Sequence, residues 1–417
     1  MLAGLQSLLG IAVLIAIPWA MTEQRSALRW RLPVAAIVLQ FFLAWMFLKF
    51  PGTALLFSFI GDAVTTLQSA TDQGTSFVFG YLGGGPLPFE TNSPGGAVVL
   101  AFKILPLLLF MSAWTALLSY WHLLPALVRL FSFALERTLG VSGAVGVTTA
   151  ANVFVGMIEA PLFVRGYLSH LTRSELFAVM CAGMATISGT VLALYAVVLA
   201  PVVEQAPGHL LAASIISMPA ALMIAHLMVP ETGEPTPASA EDPFPASSTI
   251  DALTGGTESG VRMYISVVSM LFVFVASVAL INGMLGVFPD IAGAPLTLER
   301  MLGWVMAPLA FVIGLPWEES VTGGALLGKK LVLNEMLAYL DLAALSEDAL
   351  SPRSRLILTY ALCGFANFGS LGITIGGLNA LVPERRTEIV NLGIKSIVGG
   401  MLATALTGAI VGFIALT

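Results

Sequence analysis

The chain has 417 residues, of which 57% are hydrophobic and only 10% are charged. Soluble domains carry roughly 25% charged residues, so this composition predicts an integral membrane protein. The net charge of −6 and the lack of any basic run exclude a nucleic-acid partner, because neutralising phosphates requires a basic surface.

Eight apolar runs are long enough to cross a bilayer, which takes about 20 residues of helix. The first has no basic region before it and no small-residue cleavage site, so we expect a retained span rather than a signal peptide. The predicted spans lie near 2–21, 33–60, 97–120, 174–201, 208–229, 263–288, 355–380 and 388–416.

Two further apolar stretches, 140–165 and 311–340, contain too much glycine, proline and charge for simple spans. Re-entrant hairpins fit both, because irregular backbone at membrane depth is tolerated where protein or a water-filled cavity covers it. Segments 122–138 and 295–308 are predicted to be interfacial helices before these hairpins.

Basic residues predict the orientation of the spans. The first short loop holds three arginines, which places it in the cytoplasm and both chain termini outside: Arg25, Arg29 and Arg31. Two arginines between 350 and 360 then fall outside, against the rule. On this count the hairpins enter from opposite sides, so units 140–229 and 311–416 form inverted repeats, as in secondary transporters.

The expected fold is an all-α polytopic membrane protein with about eight transmembrane helices, two re-entrant helical hairpins, inverted repeats, and scaffold and transport domains. N-terminal spans that are mainly scaffold come first, followed by transport repeat 1, a disordered linker, a scaffold span with its interfacial helix, and transport repeat 2. The linker is rich in proline and acid and has no basic residue. In the order given above, these five parts cover 1–121, 122–229, 230–260, 261–310 and 311–417.

Two short stretches share one pattern, Gly-Met-Ala-Thr-Ile-Ser-Gly at 183–189 and Gly-Phe-Ala-Asn-Phe-Gly-Ser at 364–370. Aligned on the first glycine, Thr186 matches Asn367. Small and polar residues at matching places in two apolar halves indicate broken helices at a binding site near the bilayer midplane.

A carboxylate precedes each of these stretches, Glu159 the first and Glu335 the second. An ionisable group at membrane depth costs ~2.5–3.5 kcal/mol on insertion scales, so each is a candidate site residue. The alternative is a structural ion pair, for example between Glu335 and Lys330. Lys329 and Lys330 themselves are interpreted as structural or interfacial.

Asn152 and Thr186 could serve a cation, since amide and hydroxyl oxygens together with carbonyls freed by broken helices suit Na⁺. Taken singly, Asn152 is better explained as a turn residue and Thr186 as a hydroxyl bonded to a carbonyl one turn earlier, and only their joint placement favours an ion site.

Residues 328–339 read Gly-Lys-Lys-Leu-Val-Leu-Asn-Glu-Met-Leu-Ala-Tyr. This resembles the Gly-x-Lys-x-x-x-Asn-Glu-x-x-Ala-Tyr signature of concentrative nucleoside transporters, with Met336 where that family usually has Phe. Pro-Trp-Glu-Glu at 316–319 is similar to the family's Pro-Trp-x-Glu, and 359–370 is similar to its seventh span. The resemblance runs from about residue 97 to the C-terminus, and the first two spans match only in kind.

The resemblance implies a homotrimer in which each protomer has a fixed scaffold and a mobile transport domain. It implies ribose contacts from Glu335, Asn367 and Ser370, with Phe365 near the sugar and base. It also implies that Glu159 lies near the ribose and that Val191 lines the base pocket.

For the ion, the resemblance implies a Na⁺ site formed by the Asn152 and Thr186 side chains and by the Val155 and Ile187 carbonyls. Coupling to H⁺ through Glu159 is the alternative. No cofactor is expected.

The first hairpin departs from the family's usual Gly-Gln-Thr-Glu-Ala-Pro, because Met157 and Ile158 replace the Gln and Thr that hydrogen-bond the base. The base preference therefore stays open. The expected function is cation-coupled import of nucleosides across a bacterial inner membrane by an elevator-type mechanism, with nucleoside and membrane lipid as partners. The alternative is transport of another riboside or polar solute on the same fold. An enzyme is not expected, because the sequence has no nucleophile–base pair or metal-ligand spacing.

Overall fold

The computed structural model describes residues 2–90, 98–237, 246–291 and 293–416. These residues form helices joined by short turns and contain no β-strand. The helices before the first hairpin are α1 (Leu2–Ala20), α2 (Arg31–Lys49), α3 (Gly52–Phe79), α4 (Leu100–Lys103), α5 (Leu107–Tyr120) and α6 (Leu123–Leu139).

The first hairpin unit consists of α7, a 3-10 segment and three further helices: α7 (Gly143–Asn152), the 3-10 helix Ala160–His170, α8 (Arg173–Ala185), α9 (Gly189–Leu199) and α10 (Ala206–Met228). The remainder consists of α11 (Thr249–Leu285), α12 (Leu298–Val312), α13 (Trp317–Val332), α14 (Glu335–Ala344), α15 (Pro352–Leu362), α16 (Phe368–Leu381) and α17 (Arg386–Ile414).

Within the described residues, six helices or paired helices are long and apolar enough to cross a membrane, and the bent pair α12–α13 would make a seventh. α1 and α16 are shorter apolar helices. Each of the eight predicted spans overlaps at least one of these elements, although the bounds differ for 33–60, and the prediction of an all-helical polytopic membrane protein is confirmed. Segments 122–138 and 295–308 are also helical, as α6 and α12.

Both predicted hairpins are present as pairs of short helices. In the first, α7 begins at the Ser142 N-cap and ends at a turn that contains Gly156, whose φ of +103° favours glycine. In the second, α13 and α14 are separated by Leu333 and Asn334, and the Asn334 Oδ1 accepts the Leu337 N–H at 2.9 Å. This N-cap fixes the point at which the chain re-enters a helix.

The two glycine-containing stretches are breaks between half-helices, as the sequence predicts. α8 ends at Ala185, and α9 begins after Ser188, whose hydroxyl caps it. α15 ends at Leu362, and α16 begins after Asn367, whose Oδ1 accepts the Ser370 N–H at 2.7 Å. Each break exposes the last carbonyls of one half-helix and the first N–H groups of the next.

Segment 33–60 is not one span, and the sequence prediction was wrong in this respect. α2 ends at Lys49, and α3, which was not predicted, starts at Gly52 and runs for 28 residues. Pro51 lies between them and favours a helix boundary, since proline lacks an N–H and clashes with the preceding turn.

The prediction of a disordered linker over 230–260 was wrong for 249–260, which form the first three turns of α11. Composition was misleading because Gly256 and Gly260 allow close packing: an added Cβ would lie 2.8 Å from the Ala113 Cα and 2.9 Å from the Leu109 Cα, both on α5. Residues 231–237 are non-helical, but Thr236 donates two hydrogen bonds to the Glu175 carboxylate of α8. Residues 238–245 lie outside the described part.

Two packing groups are visible around the hairpins. α5 packs along α11, whereas α1 and α2 pack against α10 and α17. The assignment of 1–121 mainly to a scaffold stays a prediction, and the packing of α1 and α2 favours grouping those two helices with the repeats instead.

Candidate substrate and cation site

Glu335 is the first residue of α14 and is 4% exposed. Its Oε1 accepts the Tyr195 hydroxyl at 2.6 Å, and its Oε2 accepts the Asn367 Nδ2–H at 2.9 Å. A carboxylate at a helix N-terminus also interacts favourably with the helix dipole. Each carboxylate oxygen retains acceptor capacity, which a donor on a ligand could use.

Asn367 joins this carboxylate to the break before α16. Its Nδ2 donates to Glu335 while its Oδ1 caps α16 through the Ser370 N–H. Ser370 and Phe365 are both buried, and Phe365 accepts the Asn367 N–H through its carbonyl at 2.8 Å. The structure therefore brings together Glu335, Asn367, Phe365 and Ser370, four of the residues expected to bind the sugar.

Tyr195 on α9 was missed by the sequence analysis. It is 3% exposed, it donates to Glu335, and its ring lies 5.1 Å from that of Tyr339. Val191 lies four residues earlier on the same helical face and is half-buried. That spacing from Val191 was the signal available in the sequence.

Glu159 lies at the end of the first hairpin turn, and among the described residues no hydrogen bond joins it to this cluster. It lines a cavity of about 290 Å³ together with Val155, Thr190 and residues of α5 and α11. Among the described residues, no side chain donates a hydrogen bond to the Glu159 carboxylate. The cavity places this acid between the hairpin and the α5–α11 pair, beside the first turn of α9.

α9 connects the two carboxylates. It runs from the Ser188 cap, where an added Cβ on Gly156 would lie 3.1 Å from the Ser188 Cβ, to Tyr195 beside Glu335. Seven residues of α-helix rise about 10 Å, which is of the order of the length of a small ligand. The two acids thus face the two ends of the same helical segment.

Met157 and Ile158 both face α16. The Thr374 hydroxyl, one turn after Ser370, donates to the Met157 Sδ at 3.3 Å. Ile158 is 42% exposed, and its side chain lies beside Gly377. This wall therefore offers a thioether, an alkyl group and the Thr374 oxygen where an amide and a hydroxyl stand in the usual motif. Thr374 is a second residue that sequence reasoning missed.

Asn152 and Thr186 meet in the interior between α7 and the α8–α9 break. Asn152 is 1% exposed and donates through Nδ2 to the Thr186 hydroxyl and, at 3.1 Å, to the Ala182 carbonyl. Its Oδ1 is buried and has no hydrogen-bond partner. An unpaired buried carbonyl oxygen is costly, which favours a cation as its partner.

The two carbonyls expected at the ion site belong to Val155 and Ile187, which lie outside the helices. In the described part of the chain, no backbone N–H outside the helices donates to either carbonyl. Together with the Asn152 Oδ1 and the Thr186 hydroxyl, they supply a set of neutral oxygens. Such a set fits Na⁺, a hard cation that oxygen ligands hold.

An all-helical membrane fold with two hairpins, two broken spans and buried polar clusters at the breaks is typical of a secondary transporter. Comparison with known sequences specifies the class. Family models described as the C-terminus and N-terminus of Na⁺-dependent nucleoside transporters match residues 209–412 and 9–82, and one described as nucleoside recognition matches 101–202.

Among curated proteins, an uncharacterised transporter of Haemophilus influenzae is 37% identical, over 98% of this chain and 97% of its own. The nucleoside permease NupC of Helicobacter pylori is 34% identical, over 98% and 97%. Among solved structures, CNTnw in an inward-facing, substrate-bound state is 36% identical with a TM-score of 0.92, covering 99% of this chain and 98% of that one.

The chain therefore belongs to the Na⁺-dependent, concentrative nucleoside transporter family. Members of this family are transporters and not enzymes, and Na⁺ is their coupling ion rather than a cofactor.

Proposed function

We propose that this protein imports nucleosides across a bacterial inner membrane, driven by the Na⁺ gradient, through elevator-type movement of its two hairpin units. The observation that carries the proposal is the paired polar geometry at the two helix breaks. One break holds a carboxylate framed by neutral donors, and the other holds neutral oxygens with one left unpaired. Family membership supports Na⁺ as the ion and a nucleoside as the solute.

In this proposal, Glu335, Asn367 and Ser370 bind the ribose and Phe365 packs beside it. An ionised carboxylate that accepts hydrogen bonds from vicinal hydroxyls forms charge-assisted bonds, which are about twice as strong as neutral ones. Tyr195 orients the carboxylate by its hydrogen bond to Oε1. Because these groups are buried, an analogue that lacks the hydroxyls leaves them unpaired and is strongly rejected.

We place the base towards the other end of α9, against Met157, Ile158 and Val191, with Glu159 near the ribose as the family resemblance implies. Met157 and Ile158 offer no amide or hydroxyl to a base edge, while the Thr374 hydroxyl contacts Met157 and Glu159 follows Ile158 in the chain. This wall favours a substrate recognised mainly through its sugar. It is also the observation that favours the second candidate function, transport of a riboside other than the common nucleosides.

Asn152, Thr186, Val155 and Ile187 bind the Na⁺ ion in this proposal. The ion compensates the unpaired Asn152 oxygen and joins α7 to the α8–α9 break. Since the hairpin and α9 also line the solute site, ion binding orders the wall against which the solute packs. The solute then binds most tightly to the form that already holds Na⁺.

At the level of the whole molecule, we propose a homotrimer in the lipid bilayer with both termini on the periplasmic side. The α5–α11 pair forms part of the fixed scaffold, and the hairpins with their broken spans move. The Glu159 cavity lies at the boundary between these two groups, where such a movement would change access to the solute site.

Uptake of labelled uridine, adenosine and free ribose into proteoliposomes tests this function. We expect both nucleosides, and not ribose, to accumulate when Na⁺ is imposed outside, and we expect no accumulation with K⁺ in its place. Accumulation of ribose alone would favour another polar solute, and full uptake driven by a pH gradient without Na⁺ would contradict sodium coupling.

A further inference from the structure

Lys330 is a fully buried cation in the last turn of α13. It is 0% exposed, and its ammonium donates to the Ala361 carbonyl at 2.8 Å and to the Thr404 hydroxyl at 2.9 Å. No carboxylate oxygen among the described residues lies within 4.0 Å of it. Burying a charge against neutral oxygens alone is expensive, so the burial of this ammonium requires a specific explanation.

The neighbouring Lys329 shows the ordinary arrangement. Its ammonium forms ion pairs with Asp341 and, at 3.5 Å, with Glu299 near the protein surface. The two adjacent lysines thus have different partners: Lys329 lies against acids, and Lys330 lies against a carbonyl of a broken span and a hydroxyl of α17.

The contact that Lys330 makes has a counterpart in the other repeat. Asn152, in the last turn of α7, donates to the Ala182 carbonyl in the last turn of α8. Lys330, in the last turn of α13, donates to the Ala361 carbonyl in the last turn of α15. In both repeats, the first arm of the hairpin ends against the C-terminal carbonyls of the first half of a broken span.

The two hairpins supply different chemical groups at these two helix C-termini. The C-terminus of a helix carries partial negative charge, equivalent to about half an elementary charge, and favours a cation. In the first repeat the hairpin contributes a neutral amide with an unpaired oxygen. In the second repeat it contributes an ammonium, so the positive charge is already covalently attached.

Lys330 also lies on the far side of the break from the substrate carboxylate. The break after α15 starts beyond Ala361, which Lys330 holds, and ends at Asn367, which is hydrogen-bonded to Glu335. Among the described residues the ammonium and the Glu335 carboxylate form no close ion pair, but both are buried, and opposite charges attract more strongly in a low-dielectric interior than in water.

We propose that Lys330 is a tethered cation that occupies, in the second repeat, the place that Na⁺ occupies in the first. It acts as a positioning residue, because its ammonium holds the end of α15 and its positive charge attracts the buried Glu335 carboxylate across the break. Each protomer then binds a single Na⁺ ion. The inference rests on the proposed sodium site at Asn152.

A double-mutant cycle on uridine binding tests the electrostatic part. We expect Lys330→Met to raise the Kd for uridine by about tenfold or more at saturating Na⁺, which corresponds to ~1.4 kcal/mol. In a Glu335→Gln background the same change should raise the Kd by less than about threefold, since the charge it supports is gone. Lys329→Met is the matched control and should leave the Kd within about threefold of wild type.

Equal effects of Lys330→Met in both backgrounds would overturn the proposal, because a merely structural lysine gives additive changes. A second measurement needs no Lys330 variant: counting labelled Na⁺ bound per protomer at saturation. The proposal predicts one ion in the wild type and none in Asn152→Ala. Two in the wild type and one in Asn152→Ala would overturn the role of Lys330 but keep the sodium site, whereas one in both would overturn the sodium site itself.

Discussion

The candidate binding residues are buried polar side chains whose hydrogen bonds are only partly filled by the protein. Glu335 is held by Tyr195 and Asn367 and keeps lone pairs free, while the Asn152 Oδ1 has no partner. An unsatisfied buried polar group costs ~1–3 kcal/mol, so such residues destabilise the unliganded protein and favour binding of a ligand. This explains why a largely apolar chain keeps them.

The first prediction concerns base selectivity. Replacing Met157 and Ile158 together by Gln and Thr should spread the affinities of purine and pyrimidine nucleosides apart, because an amide and a hydroxyl discriminate between base edges. In the unchanged protein, we expect competing uridine, cytidine, adenosine and inosine to differ by less than about a hundredfold, or ~2.7 kcal/mol. Competition against labelled uridine measures this, and a larger spread in the unchanged protein would show that other groups read the base.

The second prediction concerns sodium. Asn152→Ala removes the unpaired oxygen and the amide that bonds Ala182, so the concentration of Na⁺ that half-saturates uptake should rise about tenfold or more. Thr149→Ala on the same helix is a matched control, because its buried hydroxyl also lacks a partner but lies outside the proposed oxygen set. An unchanged sodium dependence in Asn152→Ala would place the ion elsewhere.

The elements that carry these residues are shaped by caps and turns more than by hydrophobicity. Ser142, Ser188, Asn334 and Asn367 each begin a helix through a side-chain hydrogen bond to its first turn. Such caps stabilise a helix start by about 1 kcal/mol each. They fix where the half-helices begin, and therefore where the breaks fall.

Much of this could be predicted from the sequence. Membrane-length apolar runs predict the spans, and glycine with polar residues inside them predicts both breaks. Pro51 was overlooked because the runs on either side of it are apolar, so two helices were counted as one. The start of α11 was missed because proline and acid precede it, whereas small residues such as Gly256 pack it against α5. Tyr195 and Thr374 could not be assigned because their roles depend on which helices meet.

The third prediction concerns the first hairpin turn. Gly156→Ala puts a side chain at φ +103°, where its Cβ would lie 3.1 Å from the Ser188 Cβ and 3.4 Å from the Glu159 Oε2. Such backbone strain costs ~1–3 kcal/mol, so the thermal midpoint should fall and uptake should decrease. Gly61→Ala on α3 is the control, since nothing lies within 4 Å of an added Cβ. Unchanged stability and uptake in Gly156→Ala would contradict the observed turn.

Across the whole molecule, the loop between α1 and α2 connects to both repeats. Glu23 forms ion pairs with Arg173 at the start of α8, at 2.9 Å, and with Lys395 of α17, at 2.5 Å. Its backbone N–H donates to the Met228 carbonyl at the end of α10. One loop residue therefore joins three helices, consistent with α1 and α2 packing against α10 and α17.

The fourth prediction uses this network. The hydrogen bond from Arg173, followed by that from Lys395, lowers the pKa of Glu23 from its ordinary value of 4.5 to about 2. The stability that this depressed pKa contributes is present above about pH 4.5 and is lost as the pH falls towards 2. Thermal unfolding of purified protein should show this acid-dependent loss, and Glu23→Gln should reduce it. Glu258→Gln, which removes an exposed acid on α11, should not; equal pH profiles for wild type and Glu23→Gln would contradict the assignment.

The central claim is that the buried Glu335 carboxylate binds the nucleoside and that the sodium gradient drives nucleoside uptake. The most direct measurement is Na⁺-gradient-driven uridine uptake by wild type and Glu335→Gln in matched proteoliposomes, with folding checked by thermal unfolding. Losing the charge-assisted bonds costs ~1.5–3 kcal/mol, so uptake at low uridine should fall about 10- to 150-fold while the protein stays folded. Wild-type uptake by folded Glu335→Gln would contradict the account.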